Sequence, residues 1–171
     1  MGLIEDLEYR SPRQNVFQQT VTAFAGTRPG ARLLSLVHEP VDRAWRRLSG
    51  GSYATNVLAG LSVVELTTTG AKSGRPRTVT LIPVPFEGDL ALVGTNYGQR
   101  NTPGWVYNLE SEPRADLTHG SLTVEVVARR ADSNQTDQVF EVASQMYVGY
   151  ASYRSRAAHR DIRVFILERA D

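Results

Sequence analysis

The spacing of apolar residues changes along this chain. Between residues 31 and 48, Leu33, Leu34, Leu36, Val37, Val41, Trp45 and Leu48 recur at roughly helical intervals, with Arg32, Arg43, Arg46 and Arg47 between them. The pattern predicts a helix divided at Pro40, which has no amide proton and crowds the preceding turn. The run Ser49, Gly50, Gly51, Ser52 stops it. A shorter helix is expected over 12–26, ending at Gly26. From residue 63 the period shortens. Residues 63–69 are rich in β-branched side chains, and 78–86 alternate in part before a turn at Glu87, Gly88 and Asp89. Residues 90–95 follow at hairpin distance. A short helix at 104–109 precedes a second hairpin, 114–130, turning near His119 and Gly120. A helix over 136–146, capped by Asn134 or Thr136, leads to a closing strand at 162–168.

The predicted order is helices, three strands, a short helix, two strands, a helix and a strand. Hairpins dominate and no alternating βαβ unit occurs, so the expectation is an α+β fold whose antiparallel sheet curls into a small barrel. We read residues 1–50 as a helical segment packing on a barrel formed by 51–171, together a single domain. The length of 171 residues suits that reading.

Composition narrows the chemistry. Cysteine is absent, which excludes disulfides, thiolate metal sites and cysteine nucleophiles. The three histidines, His38, His119 and His159, are scattered without metal-ligand spacing, so no metal is expected. No Gly-x-Ser-x-Gly elbow occurs. A net charge of +1 argues against a nucleic-acid partner. With no membrane-length apolar run and an acidic N-terminus, the expected location is cytoplasmic. The basic stretch 32–48, with its tryptophan, leaves peripheral membrane contact open as a second reading.

Three loops carry the candidate chemistry. The first, TGAKSGRPR, holds Lys72, the single lysine of a chain with 18 arginines, among Gly70, Ser73, Gly74, Arg75 and Arg77. It reads either as a solvated polar turn or as the seat of an anion, since glycines let backbone N–H groups approach a ligand. The order of a Walker A loop is absent, as is a Rossmann fingerprint. The second, GTNYGQRNTPGWVYNL, offers a helix start capped by Asn101 or Thr102, with Trp105 either as a flat wall for a planar ring or as a core residue. In the third, QMYVGYASYRSR, Tyr147, Tyr150 and Tyr153 recur every three residues, as a packing stripe or as phenols facing a substrate. With no nucleophile or acid–base pair evident, an enzyme built this way would rely on a bound cofactor.

Taken together, LTTTGAKSGRPRTVTL, GTNYGQRNTPGWVYNL and MYVGYASY resemble the deazaflavin-dependent nitroreductase family of mycobacteria and related actinobacteria, in order and spacing, from about Leu33 to Leu167. The resemblance implies a split β-barrel and non-covalent binding of coenzyme F-420, a deazaflavin with a phosphate and a polyglutamate tail. It implies that Ala71, Lys72, Ser73 and Arg77 bind the anionic arm, with Thr78 and Val79 following along the strand. Gly94, Thr95 and Asn96 would line the cofactor near its ring, and Gly104, Trp105, Val106, Tyr107 and Asn108 the opposite wall. Tyr147, Tyr150 and Tyr153 would surround the substrate, and Thr95 or one of these phenols would serve the reacting group. The sequence departs from the family pattern at Asn96, where a basic residue is common, and at Tyr97, where many relatives have glycine. The implied activity is hydride transfer to an electron-poor small molecule such as a quinone, a nitro compound or an α,β-unsaturated carbonyl compound. The alternatives are an FMN enzyme of the same barrel class and a cofactor-binding protein without turnover. Neither substrate nor oligomeric state follows from the sequence.

Overall fold

The structure is a computed structural model that describes residues 2–10, 62–146, 149–157 and 159–171. The helices expected before residue 50 and the basic stretch 32–48 lie outside the described residues, as does Tyr147.

The strands are β1 (Val64–Thr69), β2 (Pro76–Leu81), β3 (Val84–Phe86), β4 (Asp89–Val93), β5 (Arg114–His119), β6 (Leu122–Arg130) and β7 (Val164–Arg169). The segment 78–86, expected as one strand, is two, because Pro83 has no N–H for a ladder and the chain turns at Ile82. The β3–β4 hairpin closes through Glu87 and Gly88, at φ 51° and 92°, a turn that needs left-handed backbone at both central positions.

All seven strands form one antiparallel sheet in the order β2-β1-β5-β6-β7-β4-β3. The edge strands β2 and β3 stand at opposite ends of that order, yet only Ile82 and Pro83 separate them in the chain. Two residues span at most about 10 Å between flanking strand ends. The sheet must therefore curl until its edges nearly meet, which is the geometry of a split barrel.

Strands β4 and β7 lie deep in this curl and are buried on both faces. Leu90, Leu92, Phe165 and Leu167 enter the barrel core with Leu66, Leu117, Val126 and Leu109. Their neighbours Ala91, Val93, Val164 and Ile166 point the other way, into a second cluster with Val139, Phe140, Ala143, Tyr150 and Tyr153. A strand period of two splits one apolar run between two cores.

The helices are α1 (Leu3–Asp6), α2 (Gly104–Ser111), α3 (Ser133–Met146) and α4 (Gly149–Arg156). Helix α3 begins three residues before the expected Thr136, and its cap is neither Asn134 nor Thr136. Asp132 Oδ1 accepts from the Gln135 N–H at 2.8 Å while Gln135 Oε1 accepts from the Asp132 N–H at 3.3 Å, a reciprocal capping box. Helix α1 was not expected. Leu3, Leu7 and Tyr9 join the barrel core, and Asp6 pairs with Arg169 at 3.0 Å. Among the described residues, no helix is long and apolar enough to cross a membrane.

Candidate functional site

The loop between β1 and β2 is organised by its glycines. The Gly74 N–H donates to the Gly70 carbonyl at 2.8 Å, with Gly74 at φ 62°, and the Gly70 N–H donates to the Arg75 carbonyl at 2.9 Å. A Cβ on Gly70 would stand 2.7 Å from Ser73 Oγ and 3.1 Å from the Arg75 carbonyl, so a side chain there would have to turn Ser73 aside and loosen the turn. Lys72, Arg75 and Arg77 are exposed, and none has an ion-pair partner among the described residues. Three neighbouring cations repel one another and attract an anion.

Asn108 ties this loop to helix α2. Its Oδ1 accepts from the Ala71 N–H at 3.0 Å, and its Nδ2 donates to Thr68 Oγ1 at 2.9 Å. Thr68 is 1% exposed and donates onward to the Arg77 carbonyl at 3.3 Å, so one amide links the helix, β1 and the start of β2. On β2, Thr78 Oγ1 lies 2.9 Å from Thr67 Oγ1, and Val79 packs against the barrel core.

Helix α2 presents two faces. Trp105, Val106 and Leu109 are buried, and Trp105 meets Phe165 edge to face with ring centroids 6.0 Å apart. The indole is therefore a core residue and does not form the flat wall expected of it. Apolar residues at positions 105, 106 and 109 give a helix one core-facing stripe, which leaves Gly104, Tyr107 and Asn108 on the outer side. The N-cap is Pro103, with no side-chain cap. Asn101 and Thr102, expected as caps, do not serve. The Asn101 carbonyl instead accepts from Asn96 Nδ2 at 3.0 Å.

Beyond α2 lies the turn after β4. Gly94 is buried, and a Cβ there would come within 3.0 Å of both Val106 Cγ2 and the Arg163 carbonyl. Thr95 is 5% exposed. A short 3-10 turn, Asn96–Gly98, continues with Asn96 at φ 49° and Gly98 at φ 75°. Gly98 packs on α4, where a Cβ would lie 2.8 Å from Arg156 Nε and 3.5 Å from Tyr153 Cα. On α4, Tyr150 and Tyr153 meet edge to face at 6.2 Å, and the Tyr150 hydroxyl donates to the Ile82 carbonyl at 3.3 Å. Both rings belong to the second cluster, at 6% and 3% exposure.

The structure thus places the three sequence segments along one continuous path. The cationic loop touches α2 through Asn108, α2 touches the 94–98 turn through Val106, and that turn touches the tyrosine helix through Gly98. Sequence reasoning missed Arg160, His159 and Arg163, which hold this path from behind. Arg160 Nη2 donates to the Gly94 and Thr95 carbonyls at 3.0 and 2.8 Å, and its Nε to the Gln99 carbonyl at 3.4 Å. Burial pushes its pKa below the ordinary arginine value, opposed in part by Tyr107 and Asp161. Arg163 stacks on Tyr107, with its guanidinium carbon 5.2 Å from the ring centroid, and Nε lies 3.1 Å from Glu110 Oε1 without hydrogen-bond alignment.

A family profile described as F420H(2)-dependent quinone reductase matches residues 39–169. The chain belongs to this family. A quinone reductase of that description from Mycobacterium tuberculosis is 29% identical over 143 residues, 82% of this chain and 92% of the relative. Among solved structures, the F420-H2 dependent reductase FDR-A is 32% identical with a TM-score of 0.57, covering 63% of this chain and 94% of that one. A domain-swapped dimer is 30% identical with a TM-score of 0.58, covering 74% and 94%. The protein is accordingly a coenzyme F-420-dependent reductase with a split β-barrel fold. The site fits such a cofactor in the chemistry of its donors: an un-neutralised Lys–Arg–Arg loop suits a phosphate and carboxylate arm. The glycines at 70 and 94 hold the backbone where a Cβ would intrude.

Proposed function

We propose that this enzyme reduces a quinone, with coenzyme F-420 lying along the path from the 70–77 loop to the tyrosine helix. The observation that carries the reading is the cluster of Lys72, Arg75 and Arg77, exposed, without counter-charges among the described residues and tethered through Ala71 and Asn108 to the helix beside Gly94. The names of the family and of the mycobacterial relative favour a quinone over nitro or enone acceptors.

When bound, the reduced cofactor supplies a hydride equivalent. The work of the chain is to hold, orient and screen. Lys72, Ser73 and Arg77 bind the anionic arm, and the Ala71 backbone fixes their loop, with Thr78 and Val79 continuing along β2. Gly94, Thr95 and Asn96 lie against one side of the ring, and Gly104, Tyr107 and Asn108 form the outer face of the helix opposite. Trp105 and Val106 act from the core by holding that helix in place. Tyr147, Tyr150 and Tyr153 bound the acceptor pocket, and Tyr147, Tyr153 or Thr95 donates a hydrogen bond to the acceptor oxygen as charge builds there, since the Tyr150 hydroxyl is engaged by the Ile82 carbonyl. Alignment of two planar partners supplies most of the acceleration, with no protein nucleophile.

The test is a parallel titration of the protein with coenzyme F-420 and FMN, followed by mixing the reduced complex with quinones, nitro compounds and enones. Tighter binding of coenzyme F-420 and fastest bleaching by a quinone are expected. Preferential FMN binding sinks the cofactor placement. Binding without bleaching by any acceptor makes the protein a carrier.

A further inference from the structure

Arg160 sits outside every motif that points to the cofactor, just before the closing strand, yet its contacts converge on the turn beside it. Three carbonyls, those of Gly94, Thr95 and Gln99, accept from its Nη2 and Nε. His159 Nε2 lies 3.4 Å from the next carbonyl, that of Arg100. The segment these residues hold is an awkward one. Asn96 and Gly98 both adopt left-handed backbone, and Gly98 presses onto Arg156 and Tyr153. A non-glycine residue in that region costs on the order of 1 kcal/mol and persists only where its surroundings over-determine it.

Arg160 also carries a cost of its own. Its Nη1 is buried without a hydrogen-bond partner among the described residues, and burial disfavours its charge. A half-buried guanidinium with one buried, idle nitrogen is a poor way to stabilise a loop for its own sake, and such a group calls for an explanation. Peptide geometry supplies one. All peptide bonds here are trans, so the Asn96 N–H points opposite to the Thr95 carbonyl that Arg160 holds. The Thr95 N–H is already used by the Val93 carbonyl at 2.9 Å. Gripping the carbonyl side of the turn therefore fixes the direction of the Asn96 amide on the other side, and polarises it.

We infer that Arg160 is a positioning residue: by clamping the carbonyls of Gly94, Thr95 and Gln99 it sets the turn 94–99 in the shape that receives the cofactor ring. This rests on the placement of coenzyme F-420 against that turn given under Proposed function. Arg160 does not touch the cofactor in this account; it acts through the backbone.

The experiment compares the wild-type chain with Arg160→Ala and Arg160→Lys by amide hydrogen exchange without cofactor, and by coenzyme F-420 titration. The Gly98 and Gln99 amides, which donate to Thr95 and Asn96 carbonyls at 2.9 Å each, report the turn directly. In Arg160→Ala their exchange should speed at least tenfold while sheet amides of β5 and β6 stay protected. Cofactor affinity should fall at least tenfold, and millimolar guanidinium should restore both. Arg160→Lys, which keeps the charge without the fork, should recover less than half of the lost protection on a logarithmic scale. Unchanged exchange at Gly98 and Gln99 in both variants overturns the inference, as does a loosened turn with undiminished affinity. Should Arg160→Ala not fold, Arg160→Lys with both readouts decides alone. A wild-type chain that does not bind coenzyme F-420 would instead defeat the cofactor placement, and with it the inference.

Discussion

The two loops that bracket helix α2 are built in opposite ways. The 70–77 loop displays its charge: Lys72, Arg75 and Arg77 stand exposed and without ion pairs among the described residues, and the structural work is done by glycines and by Asn108 from the neighbouring helix. The 94–99 turn hides its charge. Arg160 lies behind it and spends its donors on backbone carbonyls, while Gly94 and Thr95 are buried. The first loop can bind a flexible anionic arm because long cationic side chains adapt to it. On the proposed placement the second presents a fixed surface to a rigid ring, and rigidity comes from close packing and a multidentate clamp. The proposed function thus assigns affinity and alignment to different loops, and α2 joins them.

Substitutions at the join should separate these roles. Gly94→Ala places a methyl 3.0 Å from both a backbone carbonyl and Val106 Cγ2, neither free to move far. Overpacking of this kind should lower stability by about 2 kcal/mol, read from denaturant unfolding, and weaken cofactor binding with it. A Gly94→Ala chain of native stability would mean that the turn is softer than described. Asn108→Ala removes two hydrogen bonds and leaves the Ala71 N–H without its acceptor. About 1–2 kcal/mol of stability should be lost. Cofactor affinity should fall although no cation was touched, and full affinity in this variant would show that the charged loop needs no tether.

Salt gives a gentler probe of the same contrast. Raising ionic strength from about 0.05 to 0.5 M shortens the screening length severalfold. Apparent affinity should weaken several-fold through the exposed loop, whereas exchange protection at Gly98, which depends on buried contacts, should not change. Equal salt sensitivity at both loops would erase the distinction. The smallest effect is expected at Glu125→Ala, which breaks the exposed Arg114 pair at 3.0 Å. Less than about 0.5 kcal/mol should be lost, with affinity unaffected.

The sequence made the first loop legible and the second only partly so. Glycines flanking a lone lysine are a local signal, and the β-branched run in 63–69 and the turn near His119 and Gly120 in 114–130 marked strands that form within a residue or two of expectation. The indole of Trp105 went to the core because the burial of α2 is decided by its whole stripe, with Val106 and Leu109, and not by one aromatic beside a helix start. The segment 78–86 broke at Ile82 and Pro83 because a proline has no N–H to give a ladder. Arg160 was invisible for a different reason. Its partners are backbone carbonyls more than sixty positions away, and carbonyls leave no trace in residue type. Helix α1 was missed because it is four residues long and the apolar residues in and just after it, Leu3, Leu7 and Tyr9, are too few to register as periodic, and only the barrel makes them core.

The most direct test of the whole account is a coenzyme F-420 titration of the Lys72→Ala, Arg77→Ala double variant beside the wild-type chain. Both side chains are exposed and free of ion pairs among the described residues, so folding stability should hold within about 0.5 kcal/mol. Losing two charge-assisted contacts to an anionic arm should weaken binding about a hundredfold. Affinity equal to that of the wild-type chain would mean that the arm lies elsewhere and that the cationic loop is only a solvated turn.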